Sequence, residues 1–171
     1  SSAASDVYKR QVDMKVRVSN YIDRMFAKYA PATFLSLFID DCIAKGKDYY
    51  NCGPRYNTTY IQCTGLGTIT DSLSALRKHV FEDKTFTMEA LLDAMADNFE
   101  GHEPMRQMIL NRTPFFGNDD PYAAQIAVRV FDDLYDAIEG KPNTKGECFH
   151  LNMLSTTCHV YFGKVMGATP N

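Results

Sequence analysis

Two segments of this chain carry the marks of β-strands, and a long stretch of helical periodicity separates them. Thr58 to Cys63 is rich in β-branched and aromatic residues. Cys148 to Leu154 alternates, with Phe149, Leu151 and Met153 on one face and His150, Asn152 and Leu154 on the other. Strands joined through long helical crossovers lie parallel, and parallel sheets are covered on both faces. Two such strands cannot make a buried parallel sheet alone. The spacing therefore predicts an α/β chain whose strands belong to a larger sheet, with the missing strands outside these 171 residues.

The rest reads as helix. Val18, Ile22, Met25 and Tyr29 recur at helical spacing, Pro31 punctuates, and a second apolar helix is predicted from about Ala32 to Ala44, ended by Gly46. Gly65 and Gly67 turn the first strand into a helix carrying Leu73, Leu76 and Val80. Thr87 is placed to cap a helix with Met88, Leu91, Leu92, Met95 and Phe99 on its apolar face, stopped by Gly101. Pro104 is expected at the first position of the next. Asp120-Pro121 starts a helix carrying Ala127, Val130, Phe131, Leu134 and Ile138, which Gly140 and Pro142 terminate. A short helix is expected from Cys158 to Met166.

Composition narrows the function classes. A net charge of -3, with Lys and Arg scattered, offers no basic field for nucleic acid. The apolar stretch Phe34 to Ile39 falls far short of the roughly 20 residues that span a bilayer, so no membrane association is predicted and the chain is expected to be cytoplasmic. Five irregularly spaced cysteines, Cys42, Cys52, Cys63, Cys148 and Cys158, read as reduced thiols. The nearest metal-like grouping is Cys148, His150, Cys158 and His159, but adjacent Cys158 and His159 point to opposite faces of an extended segment, so no metal site is expected.

Both ends read as cut. Ser1 to Ser5 is low in complexity, and residues 6–11 read as the translation of a sequencing-library adaptor, which makes 1–11 non-native and 12–171 one partial domain. The chain stops in the turn-forming Thr169-Pro170-Asn171.

The segment Gly53-Pro54-Arg55-Tyr56-Asn57-Thr58-Thr59-Tyr60-Ile61-Gln62, with Gly65, Gly67 and Asp71-Ser72-Leu73 after it, resembles the pyruvate formate-lyase-like glycyl radical enzymes. The similarity continues through Asn98-Phe99-Glu100-Gly101, Asn111-Arg112-Thr113-Pro114, Gly117-Asn118-Asp119-Asp120 and Pro142-Asn143-Thr144-Lys145-Gly146. It ends in Met153 to Gly163 and Gly167-Ala168-Thr169-Pro170, with Ser155 where the family commonly has proline. Thr59 to Gln62 and His159 to Gly163 look most like the branch that dehydrates trans-4-hydroxyproline. Diol dehydratases, choline lyases and formate C-acetyltransferases are the alternatives within the family, and a non-catalytic helical module is the alternative outside it.

The resemblance implies a fragment of a ten-stranded α/β barrel of two parallel halves, within which a thiyl cysteine and a radical glycine meet. It implies a hydro-lyase acting on a small molecule, a glycyl radical installed by a SAM-dependent iron-sulfur activating enzyme, no other bound cofactor, and a homodimer. The family's Gly-Cys-x-Glu is absent, since Glu follows none of the five cysteines by two residues, and each cysteine is read as structural, with Cys63 and Cys158 nearest the barrel interior. Arg17-Val18-Ser19-Asn20-Tyr21 mimics the radical motif Arg-Val-x-Gly-Tyr, but Asn20 stands at the glycine position and the segment lies ahead of the barrel motifs. No catalytic residue is therefore assigned within the chain, which alone is expected to be inactive.

Ligands in α/β folds bind at strand ends, where Thr156 and Thr157 lie. By resemblance Thr157 faces bound hydroxyproline and shares a hydrogen bond with it; the alternative is capping of the helix that follows. His159 is more readily a structural hydrogen-bonder; Tyr60 and Gln62 are candidates to line the barrel, Tyr60 being more readily a core residue with a satisfied hydroxyl. Sequencing the flanking DNA is expected to show Gly-Cys-x-Glu upstream and Arg-Val-x-Gly-Tyr downstream in one frame. Start and stop codons immediately around residues 1–171 would refute this.

Overall fold

The computed structural model describes residues 2–154 and Tyr161. The chain divides into two compact units, Ser1–Gln62 with Asp133–Asn152 and Cys63–Asp132 with Met153–Asn171.

The first unit opens on α1 (Ser2–Tyr29). The helix passes without a break through residues 2–11. It ends where Pro31 disfavours helical geometry at the preceding residue. The single helix expected from Ala32 to Ala44 is two short ones, α2 (Thr33–Ser36) and α3 (Asp40–Lys45). Ser36 accounts for the break. Its Oγ lies 2.8 Å from Ala32 O and 2.9 Å from Asp48 Oδ2, and it accepts from Tyr49 N at 2.8 Å. The hydroxyl thus draws in the following loop, and Ile39 turns extended at φ -118° before α3 begins. Gly46 ends α3 in the left-handed conformation, as its position predicts. Gly53 closes the loop at a distance no side chain tolerates: a Cβ there would lie 2.5 Å from both Cys42 Sγ and Lys47 O.

The strands are β1 (Thr59–Cys63) and β2 (Phe149–Met153), adjacent and parallel. Within this unit Ile61 is 8% exposed and Phe149 is fully buried, whereas Tyr60 is 59% exposed. One sheet face is therefore packed and the other open. Between Ile138 and β2 the chain reverses: Gly140 N donates to Phe149 O at 3.1 Å, Phe149 N donates to Lys141 O at 2.7 Å, and Pro142 forms an antiparallel bridge with Cys148. This reversal gives β2 a neighbour on the edge away from β1. It also receives α1, through Lys141 to Asp13 at 2.6 Å, Asn20 Nδ2 to Pro142 O at 3.1 Å and Lys145 to Asp23 at 3.6 Å.

In the second unit α4 (Leu66–Ala75) starts at Gly65, whose φ of 86° suits only glycine without strain. The helix widens into a π-helical stretch, Leu76–Glu82, which the periodicity did not reveal. Thr87 caps α5 (Met88–Ala96) as expected, accepting from Ala90 N at 3.1 Å. Pro104 stands at the second rather than the first position of α6 (Glu103–Arg112), because Glu103 already joins the helix. Asp120 begins α7 (Pro121–Ile138), its Oδ1 accepting from Tyr122 N at 2.8 Å. The helix expected from Cys158 to Met166 lies, apart from Tyr161, outside the described residues. Among the described residues no helix is long and apolar enough to cross a membrane.

The π-helical stretch buries His79, 1% exposed, with its ring stacked on Phe86 and Nε2 3.0 Å from Thr113 Oγ1. Nδ1 is buried with no partner, so a proton there would be an unsatisfied charged donor. Burial, aided by Lys78 and Arg112 and opposed by Asp83, holds the imidazole below its ordinary value of 6.5. The unfolded chain therefore takes up the proton first as pH falls. The stability His79 supplies is complete above 6.5 and is lost as pH drops from there through the lower folded-state value. His79→Gln is expected to flatten the thermal midpoint between about pH 7 and 5. An equally steep acid loss in this variant would discount His79 as its source.

Candidate functional site

The loop after α7 and the segment before β1 are joined by one side chain. Asn143 Nδ2 donates to Asn57 O at 2.6 Å and to Thr59 Oγ1 at 3.1 Å. Its Oδ1 accepts from Lys145 N at 2.9 Å and Glu147 N at 3.0 Å. Glu147 returns the contact by accepting from Asn57 N at 2.9 Å, and Thr59 N donates to Cys148 O at 3.2 Å. The amide uses its donor and acceptor sites together, and the register of β1 on β2 follows from it.

That register places Tyr60 beside His150 on the open face, their ring centroids 5.6 Å apart. His150 Nδ1 is hydrogen-bonded to Glu139 Oε1, and Glu139 Oε2 accepts from Leu151 N at 3.2 Å. The bond to His150 holds the Glu139 carboxyl below its ordinary value against the opposing effect of burial, with lesser help from Leu151 N–H. On the other side of the ring Cys148 Sγ lies 3.5 Å from His150 Nε2. Residues 148 and 150 share a face because strand side chains alternate, and Glu139 arrives from the reversed chain alongside.

A second set of polar links binds the second unit. Asp71 Oδ1 accepts from Phe116 N at 2.7 Å, Ser74 Oγ donates to Pro114 O at 2.6 Å, and Thr113 meets His79. A cavity of about 280 Å³ in the same unit is lined chiefly by apolar side chains, among them Leu76, Leu91, Met95, Phe99 and Leu110, with Asp71 and Arg106 the charged exceptions.

Residues 2–163 match the family described as pyruvate formate lyase-like. The chain belongs to this family. The match begins within residues 1–11. Trans-4-hydroxy-L-proline dehydratase of Clostridioides difficile is 45% identical over 170 residues, covering 97% of this chain and 22% of the relative. Isethionate sulfite-lyase of Bilophila wadsworthia is 44% identical over 116 residues, covering 67% of this chain and 14% of the relative. Among solved structures, hydroxyproline dehydratase from C. difficile with trans-4-hydroxy-L-proline bound superposes with a TM-score of 0.84 at 46% identity, over 94% of this chain and 20% of that one. The glycerol-bound B12-independent glycerol dehydratase of Clostridium butyricum gives 0.78 at 31%, over 94% and 21%. The chain thus spans about a fifth of the length of these two dehydratases. These neighbours are glycyl radical enzymes with an α/β barrel fold, and the chain has that fold class, mostly helical with a small parallel sheet.

Seen in a member of the pyruvate formate lyase-like family, the motif residues Asn57, Asp71, Thr113 and Asn143 all make structural links. The radical-motif mimic also serves the scaffold, Asn20 reaching the carbonyl of Pro142. Thr156, Thr157, Cys158 and His159 lie outside the described residues. Gln62 is exposed in β1 and Cys63 half-buried at its end, where burial pushes the thiol up. Tyr60, the other candidate to line the barrel, stands on the open face of the two strands. The pairing of Glu139 with His150 was missed. Its sequence signal is slight: a glutamate at a helix end, just before Gly140 and Pro142 fold the chain back along the next strand.

Asn143→Ala is expected to cost about 2–4 kcal/mol, since it strands several part-buried partners. Asn143→Asp is expected to destabilise as well, because it keeps the acceptor but turns a carboxylate toward Asn57 O. Denaturant midpoints measure both. An unchanged midpoint in Asn143→Ala would remove Asn143 as the organiser of the register.

Proposed function

We propose that the protein containing this chain is a glycyl radical hydro-lyase that dehydrates trans-4-hydroxyproline. The observation that carries the reading is the 45% identity to the C. difficile hydroxyproline dehydratase across 97% of the chain. A (2S)-3-sulfopropanediol dehydratase from Klebsiella oxytoca reaches 30%, and the solved glycerol dehydratase 31%. Carbon–sulfur cleavage of the isethionate type is the second reading, favoured by a relative 44% identical over two-thirds of the chain.

The radical supplies abstraction of a substrate hydrogen, after which a hydroxyl leaves as water with help from acid and base groups. Such chemistry needs a closed pocket, because an organic radical attacks any nearby donor. This chain's part is to shape one wall of that pocket. Thr157, with Thr156 beside it, follows β2 at the position where α/β folds hold ligands, and the proposed contact is a hydrogen bond between Thr157 and hydroxyproline, donated or accepted by the hydroxyl. A SAM-dependent iron-sulfur activating enzyme, a homodimeric assembly and a cytoplasmic setting complete the proposal.

The test is anaerobic assay of the complete gene product after activation. Conversion of trans-4-hydroxyproline to pyrroline-5-carboxylate is expected, with Thr157→Val raising KM roughly tenfold for one lost hydrogen bond. Activated enzyme that ignores hydroxyproline but releases sulfite from isethionate, or turns over glycerol, would replace the substrate.

A further inference from the structure

Three titratable side chains of the first unit form a line that the radical chemistry leaves unused. Glu139 binds His150 at Nδ1, and Cys148 Sγ stands 3.5 Å from Nε2. The carboxylate is fixed at both oxygens, one by His150 and the other by Leu151 N–H at 3.2 Å. An ionised carboxylate accepts only, so Nδ1 carries a proton; in the neutral imidazole Nε2 is then the nitrogen that presents a lone pair to the thiol. This is the order of groups that activates a nucleophilic cysteine: thiol, imidazole base, orienting carboxylate. Cys148 is itself held on both sides, by its bridge to Pro142 and by Thr59 N on its carbonyl. The thiol is half-buried rather than enclosed. With both ring nitrogens engaged in opposite directions, Glu139 and Cys148 cannot ligate one ion alongside His150. The arrangement suits proton transfer.

We propose that Cys148 is a covalent modification site for α,β-unsaturated carbonyl compounds, with His150 as its base and Glu139 as the positioning residue. Cys148 S–H gives its proton to His150 Nε2. The sulfur then attacks the β-carbon of the electrophile, forming an S–C bond while the C=C π pair moves toward the carbonyl oxygen as an enolate. The enolate takes a proton from the imidazolium, leaving a neutral thioether and His150 as it began. No oxidant, reductant or leaving group is required. The proposal is independent of which substrate the radical site turns over.

N-ethylmaleimide is the probe, given as a short substoichiometric pulse to the purified chain near neutral pH, with peptide mass spectrometry reading each cysteine. Cys148 is expected to label ahead of half-buried Cys52, and to lose that lead in concentrated urea. Cys42, 2% exposed, stays unlabelled in a folded sample and so reports folding. His150→Gln is expected to slow Cys148 by roughly tenfold to a hundredfold without changing Cys52. Glu139→Gln is expected to slow it less, and it is the variant read if His150→Gln exposes Cys42. Native labelling of Cys148 no faster than Cys52, a lead that survives in urea, or an undiminished rate in a folded variant would each overturn the proposal.

Discussion

The amide of Asn143 is the contact on which the first unit depends. Its two donor bonds reach Asn57 and Thr59, and its oxygen gathers the amides of Lys145 and Glu147. Two segments far apart in the chain thereby meet in a single register. A slip of one residue would turn one strand over relative to the other, exposing Ile61 and burying Tyr60 if β1 moves, or exposing Phe149 and burying His150 if β2 moves. The packed core on one side and the titratable face on the other both follow from the same side chain. α1 then docks on the loop that Asn143 organises, through Asp13, Asn20 and Asp23. The exposed Lys141–Asp13 pair adds little stability by itself, so its part is orientation.

This arrangement explains why the recognisable motifs carry so little chemistry. Asn57, Asp71, Thr113 and Asn143 satisfy backbone and side-chain groups that would otherwise stay unpaired where the chain turns. Such positions tolerate few residue types, because the donor and acceptor geometry is specific. They make the family legible while saying nothing direct about the substrate. The groups able to move a proton, His150, Glu139 and Cys148, lie between the motifs rather than in them.

Element types were legible where a local signal decided them, as with the Thr87 cap, the Gly46 stop and the Asp120-Pro121 start. Departures arose where a distant partner entered. Ser36 divides one expected helix into two because Asp48 and Tyr49 compete for its hydroxyl. The π-helical stretch seats His79 against Phe86 and Thr113, partners that periodicity alone does not see. Tyr60 stands on the open face because β1 packs its Ile61 side, a choice that alternation leaves undecided.

By itself the sequence determined the α/β class, the parallel sense of two strands separated by helices, the family, and the lack of a cysteine in the thiyl motif. Each is set by local pattern, composition or spacing, which need no partner to be read. Only the tertiary structure decided which strand face is covered, and that Glu139, His150 and Cys148 stand in line. A hydrogen bond requires two groups within about 3 Å of each other, and that proximity is set by the Asn143 register and the reversal after α7, not by distance along the chain.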